Sequence, residues 1–383
     1  MSINVRRANA VAYLSMVVLG TYLSAYQYAL ASITEEFALA AWVTGLLITM
    51  HFMASFIVPP AAGELADRVG RKPVLLGCFG MMTIGILCAA LTRSVAVLGF
   101  GALITGSAAC TVESSMSSLL AQVNPQNEKR VMNLSQMYFC GGAFLSPLYG
   151  ALLAHFGLGW RWIYFALILM IAACALILFR TTLPEAKARE KGLYMRRVFQ
   201  RPYYVLMFFC MLLYVGIEES AAFWAGTYAQ IAGGGMIGPL GLEAALLAGY
   251  WLGMGVARLL LAYIKRRIGL ITLIGLALSA LCFGAMLLFH SAWAFVLFYA
   301  LAGFTLAPTW PLVMVEASRV GSDVPDTAAG GMMTAGSVGG MLVPFLLGLV
   351  QSAAGMQASF ALLAAIVVLE TVMLASSRTF RQA

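Results

Sequence analysis

Long runs of apolar residues separated by short polar stretches make up almost the whole chain. A helix that crosses a lipid bilayer needs about 20 mostly apolar residues, and on that basis the pattern predicts twelve spans. They fall into two sets of six, joined by the one long polar connection at residues 180–201. The predicted spans are residues 8–31, 41–61, 74–92, 95–122, 130–154, 160–181, 204–228, 243–264, 269–290, 292–316, 326–351 and 356–377.

The pattern therefore predicts an all-α polytopic membrane protein built from two pseudo-symmetric six-helix bundles. The expected units are an N-terminal bundle over residues 1–181, a cytoplasmic linker over 182–203 and a C-terminal bundle over 204–383. Composition supports this interpretation, because 62% of the residues are hydrophobic and only 10% are charged. Soluble domains average about 45–50% apolar and about 25% charged residues.

The basic residues between the spans set the predicted orientation. Cytoplasmic loops carry an excess of Lys and Arg, and here that excess lies with both termini and the linker. We therefore expect a cell inner membrane protein with both termini in the cytoplasm. The net charge of +8 is scattered over short loops without interleaved aromatic residues, so it indicates anionic membrane lipid rather than nucleic acid as a partner. The side of the membrane opposite the basic loops carries few charged residues, namely Glu35, Glu36, Arg93, Arg161 and Glu243.

A charged stretch at residues 63–73, GELADRVGRKP, separates the second and third predicted spans. Gly70 offers turn freedom, and Pro73 suits the first turn of the following helix, where its missing N–H costs nothing. The stretch resembles the G-x-L-A-D-R-x-G-R-K loop of major facilitator superfamily transporters. The resemblance implies a latch that holds the cytoplasmic side closed through Asp67. The gating residues that it implies are Gly63, Asp67, Arg68, Gly70 and Arg71.

Ionisable residues inside predicted spans are the strongest candidates for function, because each one is costly in hydrocarbon. Glu113 lies among small and hydroxyl residues of the fourth span and is expected to bind and release a proton. His51 in the second span is a further candidate for proton coupling, against the alternative of a structural histidine. Arg258 is expected to extend toward the cytoplasmic surface, and Glu370 to make a structural contact.

Several short stretches resemble the fucose permease branch of the superfamily. They include residues 133–138 (NLSQMY), which open the fifth span. The resemblance implies that Glu113 couples protons and contacts sugar, and that Gln136 lies at the sugar site. Two positions depart from the family pattern: Gln27 stands where the first-helix Asp is expected, and Ser117 replaces an Asn. The other stretches are Tyr214–Gly216, Trp224 with Tyr228, Gly303–Phe304 with Pro308–Thr309, and Gly339–Gly340 with Pro344 and Gly348.

The seventh predicted span contains two adjacent acids, Glu218 and Glu219. Neighbouring helical positions point about 100° apart, so we expect only one of the two to face a central cavity. Trp224 and Tyr228 lie further along the same span and are expected to offer an aromatic platform to the solute. The predicted solute-binding residues are thus Gln27, Gln136, Glu218, Glu219, Trp224 and Tyr228.

No nucleotide-binding, metal-ligand or catalytic-triad spacing occurs, so the sequence indicates neither an enzyme nor a cofactor. The predicted function is that of a monomeric secondary transporter that moves a small polar solute, expected to be a sugar, with proton symport and alternating access. One alternative is a proton-coupled exporter of amphipathic or cationic compounds. The other is a channel or a sensor without transport activity.

Overall fold

The computed structural model describes residues 5–55, 57–183, 195–231, 235–237, 240–264, 267–289, 291–321 and 325–382. Fifteen helices and one two-stranded hairpin are present in these ranges. They are α1 (Val5–Glu36), α2 (Ala41–Met53), α3 (Val58–Val69), α4 (Arg71–Leu91), α5 (Val95–Val123), α6 (Glu128–His155), α7 (Arg161–Phe179), α8 (Met195–Phe199), α9 (Pro202–Ile231), β1 (Met236–Ile237), β2 (Leu240–Gly241), α10 (Leu242–Leu261), α11 (Ile268–Ala285), α12 (Ala292–Leu306), α13 (Thr309–Val320), α14 (Pro325–Ser376) and α15 (Arg378–Gln382).

Ten segments of the described chain are long and apolar enough to cross a membrane. One of them belongs to α14, which bends at Gly355 (φ 84°) and so supplies two of the predicted spans. The predicted second span is the short apolar α2 followed by α3, and the tenth is α12 followed by α13, interrupted at Pro308. Large apolar side chains point outward, with Leu169 73% and Leu288 77% exposed, as expected for surfaces that meet lipid. The predicted polytopic all-α fold is confirmed.

The charged stretch at residues 63–73 is more helical than the sequence suggested. The predicted loop is instead a continuation of α3, which runs to Val69, and α4 begins directly at Arg71. Only Gly70 breaks the helix, with a φ of 92° that favours glycine. The physical reason is that no Gly or Pro lies between residues 64 and 69, so nothing ends the helix earlier. The predicted roles of Gly70 in the turn and of Pro73 in the first turn of α4 are confirmed.

Each predicted half is held together by helices that approach closely at glycines. In the N-terminal half, a Cβ on Gly20 of α1 would lie 1.9 Å from the carbonyl oxygen of Phe139 in α6. In the C-terminal half, a Cβ on Gly339 of α14 would lie 1.9 Å from the carbonyl oxygen of Leu212 in α9. Backbones can meet at these points only because both positions lack a side chain.

Among the described residues, the two halves meet mainly through three helix pairs: α6 packs along α10, α2 along α14, and α1 along α9. Where α1 ends and α2 begins, the halves are in direct contact. The carbonyl oxygen of Ala41 is 2.8 Å from the Cβ position of Gly348, and the Cβ of Ala31 is 2.9 Å from that of Gly226. We call this face, where α1 and α9 end, the closed face. The boundaries of the linker remain a prediction, because residues 184–194 lie outside the described ranges.

A matched pair of substitutions tests the packing of α14 against α9. The change Gly339→Ala should lower the free energy of unfolding by about 1–3 kcal/mol, since the new methyl group meets a backbone oxygen. The control Gly77→Ala lies in α4 with no atom within 4 Å of its Cβ position, and should be neutral or slightly stabilising. Thermal unfolding of both purified variants measures the difference. Equal unfolding temperatures would contradict the close approach.

Candidate functional site

A cavity of about 100 Å³ lies between the two halves. Helices α1, α2, α5 and α6 line it from the N-terminal half, and α9, α10, α13 and α14 line it from the C-terminal half. The cavity has room for several water molecules or part of a small solute. Its polar lining residues are Tyr22, His51, Cys110, Glu113, Gln136, Glu218, Glu219, Trp251, Arg258, Trp310 and Ser337.

An ion pair between Arg258 of α10 and Glu218 of α9 dominates the charge of the cavity. The Nη2 atom of Arg258 lies 2.8 Å from Oε1 of Glu218, and the two side chains are only 2% and 9% exposed. The hydroxyl of Tyr214 donates to the same carboxylate oxygen at 3.0 Å. A buried pair of this kind is stable only while both partners are present, because removing one leaves an uncompensated charge.

The same guanidinium also reaches across to the N-terminal half. Its Nη1 atom donates to Oε1 of Gln136 at 3.3 Å and to Sγ of Cys140 at 3.1 Å, both on α6. The side-chain amide of Gln136 then donates from Nε2 to Oε1 of Glu113 at 3.4 Å. A continuous polar chain therefore runs from Glu113 through Gln136 and Arg258 to Glu218, and it joins helices of both halves.

Glu219 has a different partner. Its Oε2 atom accepts a hydrogen bond of 3.1 Å from Nε2 of Gln27 on α1. The Oε1 atom of Gln27 in turn accepts from the indole N–H of Trp251 at 3.0 Å. Both ends of the Gln27 amide are thus engaged with the C-terminal half. Gln27 lies behind the cavity wall, whereas Glu219 and Trp251 line it.

The expectation that only one of Glu218 and Glu219 faces the cavity is wrong: both line it. The cavity wall wraps around α9, so that Glu218 points toward α10 and Glu219 toward α1. Adjacent helical positions point about 100° apart, but the width of the opening depends on the neighbouring helices, which local spacing does not reveal.

His51 is 3% exposed and lies in the cavity wall among aromatic side chains. Its Nδ1 atom is 3.0 Å from the hydroxyl of Tyr22, and the rings of Tyr26 and Phe52 lie within 5.8 and 4.7 Å of its ring centre. The residue therefore reaches the cavity edge, and its proton-coupling role stays a prediction.

Trp224 and Tyr228 lie away from the cavity, so the structure does not supply the aromatic platform where the sequence suggested it. The indole N–H of Trp224 donates to the carbonyl of Pro344 at 3.2 Å, and the Tyr228 hydroxyl donates to the carbonyl of Met286 at 2.9 Å. Both side chains are buried within the C-terminal half. Two tryptophans line the cavity, Trp251 and Trp310, and the sequence pattern singled out neither of them.

The expectation that Arg258 extends toward the membrane surface is wrong, because its side chain is buried and only 2% exposed. It lies only one turn from the end of α10, but α6 packs over it. Its spacing offered a usable signal: Trp251 and Arg258 are seven residues apart, which places them on one helix face. Glu370 is fully buried outside the cavity, and neither carboxyl oxygen has a hydrogen-bond partner in the described part of the chain.

The predicted gating residues lie at the junction of α3 and α4. Arg71 is 5% exposed and donates from Nη1 to Oε1 of Gln122 at 3.1 Å, which ties the start of α4 to the end of α5. Gly63, Asp67 and Arg68 belong to α3, and their surroundings lie outside what the structure describes. The latch role of these residues stays a prediction.

The helices and the polar cavity between two helical halves define a polytopic membrane protein of the transporter type. The sequence profile of the Major Facilitator Superfamily matches residues 12–344. The chain therefore belongs to the Major Facilitator Superfamily, whose members are transporters and not enzymes.

Two solved structures share this fold. The chain superposes on the human organic anion transporter MFSD10 (TETRAN) with a TM-score of 0.73 and 18% identity, covering 97% of this chain and 100% of that one. It superposes on the nucleoside transporter NupG (D323A mutant) with a TM-score of 0.77 and 14% identity, covering 97% and 99%. At these identities, the likeness shows the fold alone.

A sequence relative is the quinolone resistance protein NorB of Staphylococcus aureus, 32% identical over 148 residues. The match covers 38% of this chain and 31% of the relative, so the chain matches about a third of that protein's length. NorB belongs to a different branch from the fucose permeases. The comparisons therefore support the superfamily, and the expected fucose permease branch is not confirmed.

The Arg258–Glu218 pair can be tested by removing its partners one at a time. We expect Arg258→Met to lower the free energy of unfolding by about 3–5 kcal/mol, because it leaves the Glu218 carboxylate buried without a counter-ion. The double variant Arg258→Met/Glu218→Gln should recover most of that loss. Thermal and denaturant unfolding of the purified proteins measure both effects. The single variant Glu218→Gln is measured as well. If the double variant lost as much free energy of unfolding as Arg258→Met and Glu218→Gln lose together, the two residues would not be coupled as a pair.

Proposed function

We propose that this chain is a proton-coupled secondary transporter that moves a small, uncharged, hydroxyl-rich solute of the sugar or polyol type across the cytoplasmic membrane by alternating access. One observation carries the proposal: a polar cavity lies between two helical halves, and its one guanidinium among the described lining residues is already paired with a carboxylate. With that pair neutral, the remaining groups are hydrogen-bond donors and acceptors suited to hydroxyl groups.

The proposed solute contacts are the side chains that face the open volume. Glu113 and Gln136 offer an acceptor and an amide on one side, and Glu219 with the indole of Trp251 faces them from the other. Trp251 is held in place by its bond to Gln27 and by edge-to-face packing on Phe139 at 5.8 Å. A rigid indole beside hydrogen-bonding groups suits the apolar face of a sugar ring.

Glu113 is the proposed site of proton coupling. Among the described residues, Glu113 is hydrogen-bonded by the neutral amide of Gln136, whereas Glu218 has a guanidinium. A carboxyl group with a neutral partner in an enclosed space changes charge more readily than one held in an ion pair. In the proposed cycle, Glu113 takes a proton from outside, solute binds, the halves rock, and both are released into the cytoplasm.

A second candidate function is proton-coupled export of amphipathic or cationic compounds. The likeness to NorB favours it, because that protein's name records quinolone resistance. The cavity also contains three acids against one arginine, and its wall includes Leu19, Phe52 and Met333. A cation could pair with Glu113 or Glu219 in place of a proton.

The coupling role of Glu113 can be measured with purified protein in vesicles. A panel of labelled sugars, polyols and nucleosides is tested first for exchange without a gradient, and then for accumulation driven by an imposed pH gradient. We expect Glu113→Gln to keep exchange and to lose gradient-driven accumulation. The matched control Glu370→Gln removes a buried acid that lies outside the cavity and should accumulate solute like the wild type. Accumulation by Glu113→Gln at the wild-type level would remove the coupling role.

The two candidate functions differ in what the vesicles transport. Saturable exchange of an uncharged polyol, with no exchange of a quinolone or a cationic dye, supports the sugar-type transporter. Proton-driven movement of the dye or the quinolone, with no exchange of any polyol, would instead establish the exporter. Conductance that does not saturate with concentration would exclude both and indicate a channel.

A further inference from the structure

The three cavity acids differ in the partner that each one has. Glu218 pairs with a guanidinium, Glu113 accepts from the amide of Gln136, and Glu219 accepts from the amide of Gln27. Gln136 and Glu113 lie in the same half of the protein. Gln27 and Glu219 lie in opposite halves, so their hydrogen bond must break when the halves separate at that level.

The bond between Gln27 and Glu219 lies below the closed face. One turn further along α1, Ala31 touches Gly226 of α9, where the two Cβ positions are 2.9 Å apart. Glu219 itself is 6% exposed. Opening the closed face toward solvent would pull α1 from α9 and α10, break both bonds of Gln27, and place the Glu219 carboxyl in water.

We propose that Glu219 is a second proton-binding residue and that its proton controls opening of the closed face. The proposal rests on the transport function proposed above and adds a second proton site to it. Glu113 would bind a proton within the N-terminal half, and Glu219 would bind one at the contact between halves. The occupancy of Glu219 then biases which face of the carrier is open.

The sign of the effect follows from two opposing magnitudes. Burying an ionised carboxylate in the closed contact removes most of its hydration. One hydrogen bond from the neutral Gln27 amide returns only a part of that loss. Desolvation is the larger quantity, so the closed contact favours neutral Glu219 and the open, hydrated arrangement favours the carboxylate. Low pH should therefore favour closure and high pH should favour opening, by at most about tenfold per pH unit for one proton.

The neighbouring charges reinforce this direction. Glu218 is neutralised by Arg258, so that pair adds little net charge near Glu219. Glu113 faces Glu219 across the cavity, and two acids of like charge oppose ionisation of each other. The other titratable groups facing the site are Tyr250 on α10, Cys110 on α5, His51 on α2 and Tyr22 on α1.

The experiment measures the closed face directly and needs no solute. Spin labels are attached to cysteines introduced at Ala40, between α1 and α2, and at Met236 in β1, both of which are exposed. The seven native cysteines are replaced in the background, which must unfold like the wild type. Distances between the labels are recorded by pulsed electron paramagnetic resonance from pH 5 to pH 9 in lipid nanodiscs. We expect a short distance at low pH, and a growing population at a longer distance as the pH rises.

The variants decide whether Glu219 is responsible. Glu219→Gln, which is permanently neutral, should stay closed at every pH, whereas Glu370→Gln should respond like the wild type. Glu219→Asp should keep the response with a shifted midpoint, and it carries the test if Glu219→Gln fails to fold. A wild-type response in Glu219→Gln, an unshifted midpoint in Glu219→Asp, or no pH dependence in the parent protein would overturn the proposal. None of these results bears on solute accumulation, so the transport function stands or falls separately.

Discussion

The balance of one guanidinium against three carboxyl groups is the constraint on which the cavity depends. Arg258 can neutralise one acid, and its 2.8 Å contact assigns it to Glu218. Charge that remains without a counter-ion in an enclosed space is expensive, so the other two acids need either protons or a charged solute. This requirement gives the cavity its proposed chemistry, and it holds for both candidate functions.

Two glutamines connect the remaining acids to helices of the opposite half through hydrogen bonds. An amide can donate and accept at once, and both Gln27 and Gln136 do so. Gln136 connects Glu113 to Arg258, and Gln27 connects Glu219 to Trp251. A change of charge on Glu113 or Glu219 therefore alters hydrogen bonds that involve helices of the opposite half. In the proposed mechanism, conformational change and proton binding share the same hydrogen bonds, which is what a coupled carrier requires.

The sequence predicted the spans and singled out all three acids that line the cavity, because burial in lipid imposes a simple length rule and makes each intramembrane charge conspicuous. Glu113 and Gln136 line the cavity as expected, and both Glu218 and Glu219 line it where only one of the two was expected. The sequence did not predict the placement of side chains whose position depends on the packing of a neighbouring helix. Arg258 lies near the end of α10, and only the packing of α6 over it makes it buried. Trp224 lies outside the cavity and Trp251 lines it, because the packing of neighbouring helices decides which helix face meets the cavity.

The position of Gln27 adds a last step. The resemblance to the fucose permease branch places an acid in the first helix, and here that position is an amide that cannot ionise. Glu219 lies 3.1 Å from it on α9, so a carboxyl group occupies nearly the same place from the opposite half of the protein. The cavity therefore has two carboxyl groups without a guanidinium partner, Glu113 from one half and Glu219 from the other. In the proposed mechanism, an acid on α9 rather than α1 separates from its amide partner when the closed face opens, and this separation links its proton to the movement.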